Sequence, residues 1–282
     1  MWILFALTSA TILASRKIWE KRLVGNIWGS LGWMIRLGSA VVALILWTIF
    51  SRDTSSMSDP VIWKVLCYCI IAYPVMTYFY YRAMHELPFS LFGMLAPVAP
   101  VTAFLISWLS MGASIHLGWV LGILAISIGL MVLFWKHTTE DISMKSLIYA
   151  VIAYMIMGMW WVVDKVALGH TDPYTYALMN QSLASFILFL ASYFLFTGPK
   201  IPLFRKNIKT IGVIGLTQGI GWIAGMFAIT SIENPWYAVA LINTHAILTT
   251  AYGVFFLSEK LDTRKIIVFI MMILAIVSFA FT

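Results

Sequence analysis

Charge is what this sequence has least of. Of its 282 residues only 10% are Asp, Glu, Lys or Arg, against 62% that are hydrophobic. Soluble domains are nearer a quarter charged and half apolar. A soluble fold of this length would have too little charge to cover its surface, and a disordered chain would be far less apolar. Cysteine is scarce too. Cys67 and Cys69 lie two positions apart in one apolar run, face different directions on a helix and cannot pair with each other. No metal-ligand or redox spacing surrounds them. The motifs of common enzyme chemistry are missing: no HExxH, no P-loop, no GxSxG. Neither a catalytic residue, a cofactor nor a metal is expected, and the chain is not read as an enzyme.

Long apolar runs are what the chain has in quantity. They cover residues 2–19, 28–50, 61–83, 88–110, 115–135, 145–168, 174–196, 208–230, 236–257 and 263–282. Each is close to the roughly 20 residues that cross a hydrocarbon core. Turn chemistry separates them: Ser51-Arg52-Asp53, Ser58-Asp59-Pro60, Glu86-Leu87-Pro88, Thr171-Asp172-Pro173, Gly198-Pro199-Lys200 and Glu233-Asn234-Pro235. The runs are apolar all round and do not alternate, which selects helices over a β-barrel. The first run, starting Met1-Trp2-Ile3, has no basic flank and no small-residue cleavage site, so it is expected to be a retained span. The pattern predicts an all-α polytopic membrane protein with ten transmembrane helices.

The two halves resemble each other. Trp19-Glu20-Lys21 followed by Gly25 matches Val163-Asp164-Lys165 followed by Gly169, an offset of 144. Slightly larger offsets align Arg82-Ala83-Met84 with Phe227-Ala228-Ile229 and Pro88 with Pro235. Residues 1–140 are therefore read as one five-helix repeat and 141–282 as a second. Five is odd, so the second repeat enters the membrane inverted. The net charge of +7 fits this. Odd-numbered loops hold Arg16, Lys17, Lys21, Arg22, Arg82, Lys136, Lys145, Lys200, Arg205, Lys206, Lys209, Lys260, Arg264 and Lys265, and even-numbered loops hold Arg52, Lys64 and Lys165. Basic residues favour the cytoplasmic side, which predicts an inner-membrane protein with both termini outside. The surplus then marks topology and contact with anionic lipid, and no nucleic acid.

Ten short-looped helices in a five-plus-five inverted repeat resemble the drug/metabolite transporter superfamily, and specifically its EamA-type permeases. Local patterns carry the resemblance along nearly the whole chain. They are Asn26-Ile27-Trp28-Gly29 before Arg36, Phe79-Tyr80-Tyr81-Arg82-Ala83-Met84 before a span with Leu95-Ala96-Pro97-Val98, and Phe256-Leu257-Ser258-Glu259-Lys260-Leu261. Gly118, Gly122 and Gly129 add to them. The chain departs from the family at Met111-Gly112-Ala113, where a second glutamate is usual, and in a tenth span without glycine. Members are usually placed with both termini in the cytoplasm, opposite to the charge count. The resemblance implies transport of a small solute and names no substrate.

Polar groups at bilayer depth are costly and mark function by default. Arg36 is the basic residue placed well inside a span, able to hold a carboxylate bidentately. Its structural alternative is an interhelical lock. Asn180 aligns with Arg36 by the repeat. Gln218 and Trp222, four apart, share a helical face. Asn243 and His245 lie mid-span opposite Ala96-Pro97 of the aligned span, where proline frees carbonyls as in the broken helices of transporters. Tyr73, Tyr78 and Trp160 are deep aromatics suited to an amphipathic or cationic solute. For any one of them lipid-facing bulk is the commoner role. Glu20, Glu86, Asp164, Glu233 and Glu259 all fall near span ends, which disfavours proton antiport through a central carboxylate.

The expected function is secondary transport of a small amino-acid-like or amphipathic metabolite by alternating access. The alternatives are an exporter of lipophilic cations or drugs, and a non-transporting membrane accessory protein. The expected partners are the solute and membrane lipid, with a homodimer left open.

Overall fold

Backbone polar groups in lipid must be satisfied within the chain, and every apolar run here resolves that requirement as helix. The computed structural model describes residues 1–112, 117–134, 143–196, 201–232, 235–259 and 263–280. The turns at Gly198-Pro199-Lys200 and Glu233-Asn234, together with Ala113, Lys136, Lys260 and Leu261, lie outside these residues, as does the 140/141 boundary. Among the described residues there is no strand.

The helices are α1 (Trp2–Phe50), α2 (Pro60–Glu86), α3 (Phe89–Met94), α4 (Val98–Met111), α5 (Leu117–Phe134) and α6 (Met144–Leu168). They continue as α7 (Pro173–Phe194), α8 (Ile201–Lys206), α9 (Ile208–Thr230), α10 (Pro235–Ile242), α11 (His245–Leu257) and α12 (Thr263–Ala280). Two aspartates start helices as the turn chemistry predicts. Asp59 accepts from the Val61 N–H, and Asp172 from those of Tyr174 and Thr175, each just before a proline at the first helical position.

α1 corrects the expected loop between the first two runs. A straight helix of 49 residues would be about 73 Å long. Yet Leu13 packs at Gly221 of α9 while Val42 packs at Gly219, two residues away. Ser9 meets Gly225, and Gly38 meets Gly215. The first arm therefore runs antiparallel to α9 and the second arm parallel to it. The chain reverses direction between Leu13 and Gly38, within residues that are helical. Arg16, Lys17 and Lys21 are residues of helix and not of a connecting segment.

The fourth and ninth runs are each broken. Between α3 and α4, Val98 N–H bonds Leu95 and Ala99 N–H bonds Ala96; between α10 and α11, Ala246 N–H bonds Asn243 and Ile247 N–H bonds Thr244. These are i to i+3 bonds that tighten the helix before it resumes. The two broken helices lie side by side and antiparallel. Ser90 meets Gly253, Gly93 meets Thr249 and Thr250, and the Phe104 and Trp236 rings stand 6.5 Å apart. That register brings both breaks to the same level.

Seven described helices or broken helices are long and apolar enough to cross a membrane, and shorter apolar helices occur at 120–129 and 265–278. Large apolar side chains face outward, among them Ile71 and Leu109 (each 72% exposed) and Phe255 (80%). Polar side chains, including Glu20, Asp164, Asn180 and Gln181, are wholly buried. An apolar exterior around a polar interior suits a lipid solvent.

Candidate functional site: a cavity lined by charged and aromatic residues

Residues of both arms of α1 and of α2, α6, α7, α9 and α11 line a cavity of about 100 Å³. Its charged wall is formed by Arg16, Lys17, Arg36 and Asp164, its aromatic wall by Tyr80, Tyr81, Trp160, Trp161 and Trp222. Gln218 and His245 complete the polar lining.

Arg36, on the second arm, donates from Nη1 to Gln181 Oε1 at 2.9 Å. Its guanidinium stands 4.9 Å from the Tyr73 ring centre and 5.9 Å from that of Trp160. Behind it runs a directed chain of hydrogen bonds. Tyr73 donates to Asn180 Oδ1, Asn180 Nδ2 donates to the Tyr176 hydroxyl at 3.1 Å, and Tyr176 donates to Asp164 Oδ1 at 2.5 Å. Gln218 Oε1 is buried with no hydrogen-bond partner. Trp222 lies one turn from Gln218 and packs on the Tyr176 ring. This is one pole of the cavity.

The other pole lies about 10 Å away, the rise of the seven residues from Tyr73 to Tyr80 along α2. Arg16 Nε pairs with Glu20 Oε1 at 3.3 Å, and Tyr81 donates to the same oxygen at 3.3 Å. Lys17 is 2% exposed. Its Nζ stands 3.2 Å from His245 Nε2 and within 6.0 Å of the ring centres of Tyr80, Phe92 and Tyr154. An ammonium there requires Nε2 to accept, which puts the imidazole proton on Nδ1. Nδ1 is buried without a partner.

Of the residues singled out from sequence, Arg36, Trp160, Gln218, Trp222 and His245 line the cavity together. Tyr73 and Asn180 stand directly behind Arg36 and are wholly buried. Asn243 is turned away, its amide donating to the Val239 carbonyl. Tyr78 lies apart, ringed by Phe79, Tyr149 and Phe196, because α2 carries it on the face opposite the cavity.

Two sequence readings need correction. Arg36 is not the lone basic group inside the fold, since Lys17 and Arg16 join it on the cavity wall. Nor are carboxylates confined to the ends, since Asp164 lies on that wall and Glu20 is fully buried beside Arg16. The signal was there in the repeat, where Glu20-Lys21 matches Asp164-Lys165. It was hidden by reading 16–22 as a loop.

The profile of the EamA-like transporter family matches the chain twice, over residues 1–135 and 144–281. The chain belongs to that family. It is a membrane-embedded transporter of small solutes. Among solved structures, one crystal structure is similar to this EamA-like transporter with a TM-score of 0.67 at 15% identity, covering 98% of this chain and 95% of the other. At that identity the likeness concerns the fold. No curated protein matches the chain.

Proposed function

We propose that this EamA-like transporter is a secondary carrier that moves a small amphipathic metabolite, of amino-acid-like size, by alternating access between two inverted five-helix halves, residues 1–140 and 141–282. The observation that carries the solute reading is the cavity itself. Charged groups stand at two poles about 10 Å apart, and Trp160, Trp161, Trp222 and apolar side chains line the same cavity. Such a site suits a solute with a polar end and an apolar body.

Matching contacts support the inverted halves. Lys21 Nζ donates to the carbonyls of Met84 and Leu87, and Lys165 Nζ, 144 positions on, donates to those of Ile229 and Ile232, each 145 positions on. The broken helices α3–α4 and α10–α11 cross with their breaks level, as inverted repeats place discontinuous helices at a shared site. Ten spans follow when each arm of α1 counts as one.

The charge bias still favours odd-numbered loops in the cytoplasm and both termini outside. Removing Arg16, Lys17 and Lys21, which the fold ties up, and Lys165 by the same standard, leaves eleven basic residues against two. Purified chain in liposomes tests the carrier reading. Saturable uptake of an amphipathic metabolite is expected, and Arg36→Ala and Gln218→Ala should abolish it while the protein stays folded. Undiminished uptake by both variants would remove the site.

A further inference from the structure

We propose that the solute carries one net negative charge and that Lys17 is the residue that receives its carboxylate. The proposal deepens the carrier reading and rests on it.

Charge bookkeeping around the cavity is the starting point. Its wall and immediate support hold three cations, Arg16, Lys17 and Arg36, against two carboxylates, Glu20 and Asp164. Arg16 is paired with Glu20. Arg36 and Asp164 share the other pole, joined through Tyr73, Asn180 and Tyr176. Lys17 is left over. Among the described residues no carboxylate is in ion-pair contact with it; Glu20, already paired with Arg16, acts on it only at longer range, and its near neighbours are His245 Nε2 and the faces of Tyr80, Phe92 and Tyr154.

Buried charge is costly unless it is paired. Ring faces and one imidazole nitrogen hold an ammonium without neutralising it. A carboxylate entering beside Lys17 would supply the missing charge. A cationic solute would raise the uncompensated charge, and a zwitterion would leave it unchanged.

The far pole defines the rest of the solute. Gln218 Oε1 is an unpartnered acceptor on the same cavity, which suits a neutral donor such as a hydroxyl or amide N–H. Trp160, Trp161 and Trp222 provide the aromatic wall of the cavity. The class is a monocarboxylate with an aromatic or bulky apolar body and a neutral donor group.

Four probes of nearly one shape separate charge from size: phenyllactate (one negative charge), phenylalanine (zwitterion), phenyllactamide (neutral) and phenylalanine amide (cation). Binding is read as thermal stabilisation of the purified full chain. Phenyllactate is expected to bind about tenfold or more tightly than the other three. Lys17→Gln should abolish that preference, and Lys17→Arg should keep it. Equal or tighter binding of phenylalanine or its amide by the wild-type chain overturns the proposal without any variant. So does the absence of binding by phenyllactate, or an unchanged preference in a folded Lys17→Gln. Liposome uptake is measured separately. Phenyllactate binding without saturable uptake of any solute would end the carrier reading and leave the charge assignment standing, whereas uptake of cations alone would do the reverse.

Discussion

Gly158 of α6 packs directly against the backbone carbonyl of Ala99 in α4, so closely that a β-carbon at 158 would fall on that oxygen. Ala99 is the second residue of α4, just past the break at Ala96-Pro97. The contact fixes α6, which carries Asp164 and Trp160, against the broken helix. Backbone cannot move aside as a side chain can. Gly158→Ala should therefore lower stability by about 1–3 kcal/mol, the usual cost of overpacking. Gly212→Ala is the control, since nothing lies within 4 Å of a β-carbon there, and relief of glycine's entropy should raise stability by about 0.5–1 kcal/mol. Thermal unfolding in detergent measures both.

Arg36 and Tyr78 make a second contrast. Arg36→Lys removes the planar group that faces Gln181, Tyr73 and Trp160 at once, and a lysine is no equivalent in a stacked site. Solute uptake should fall about tenfold or more, since a hydrogen bond to a charged group contributes about 1.5–3 kcal/mol. Tyr78→Phe should leave uptake at the wild-type level, because Tyr78 packs on Tyr149 and Phe196, away from the cavity.

Glu259 closes the end of the molecule where α11 stops. Its Oε1 accepts from the Phe89 N–H at 2.6 Å and its Oε2 from the Ser90 N–H at 2.7 Å. The carboxylate thus ties the end of one broken helix to the start of the other. Glu259→Ala strands two amides and should cost about 1–3 kcal/mol. Glu259→Gln keeps one acceptor oxygen and should cost less. A thermal midpoint equal to wild type in the alanine variant would refute the tie.

Asp59 gives a pH prediction outside the apolar spans. The Val61 N–H, and with it His170, holds its carboxyl below the usual carboxylate range. A carboxylate with a depressed folded pKa stabilises fully above its unfolded value of about 3.9 and ceases to do so as pH falls through its folded value. Asp59→Ala should lower the thermal midpoint at pH 7, and the gap from wild type should close as pH drops toward about 3. Parallel curves across that range would show that the carboxylate charge plays no part.

Much of the architecture was legible because its causes are local. Asp59-Pro60 and Asp172-Pro173 start helices as side-chain acceptors beside a residue with no N–H to lose. Pro97 and Asn243 mark breaks that the backbone makes. Part of the site was legible for the same reason: Arg36, Gln218, Trp222 and His245 are polar or aromatic groups in the middle of apolar runs, where cost implies use. Arg16 and Lys17 were not legible, because a cluster of charge between two apolar runs looks like a loop. Only the fold-back of α1, seen in Leu13 and Val42 reaching the same turn of α9, turns that cluster inward.

The sequence by itself determined that the chain is helical and lipid-embedded, where its helices start, and that its halves echo each other, since each depends on composition, spacing or turn chemistry a few residues long. Tertiary structure decided which charges meet. Lys17 is surrounded by Tyr80, Phe92, Tyr154 and His245 from α2, α3, α6 and α11, and Asp164 depends on Tyr176 from α7. Whether a buried charge is paired depends on neighbours distant in sequence, and those neighbours exist only once the helices have packed.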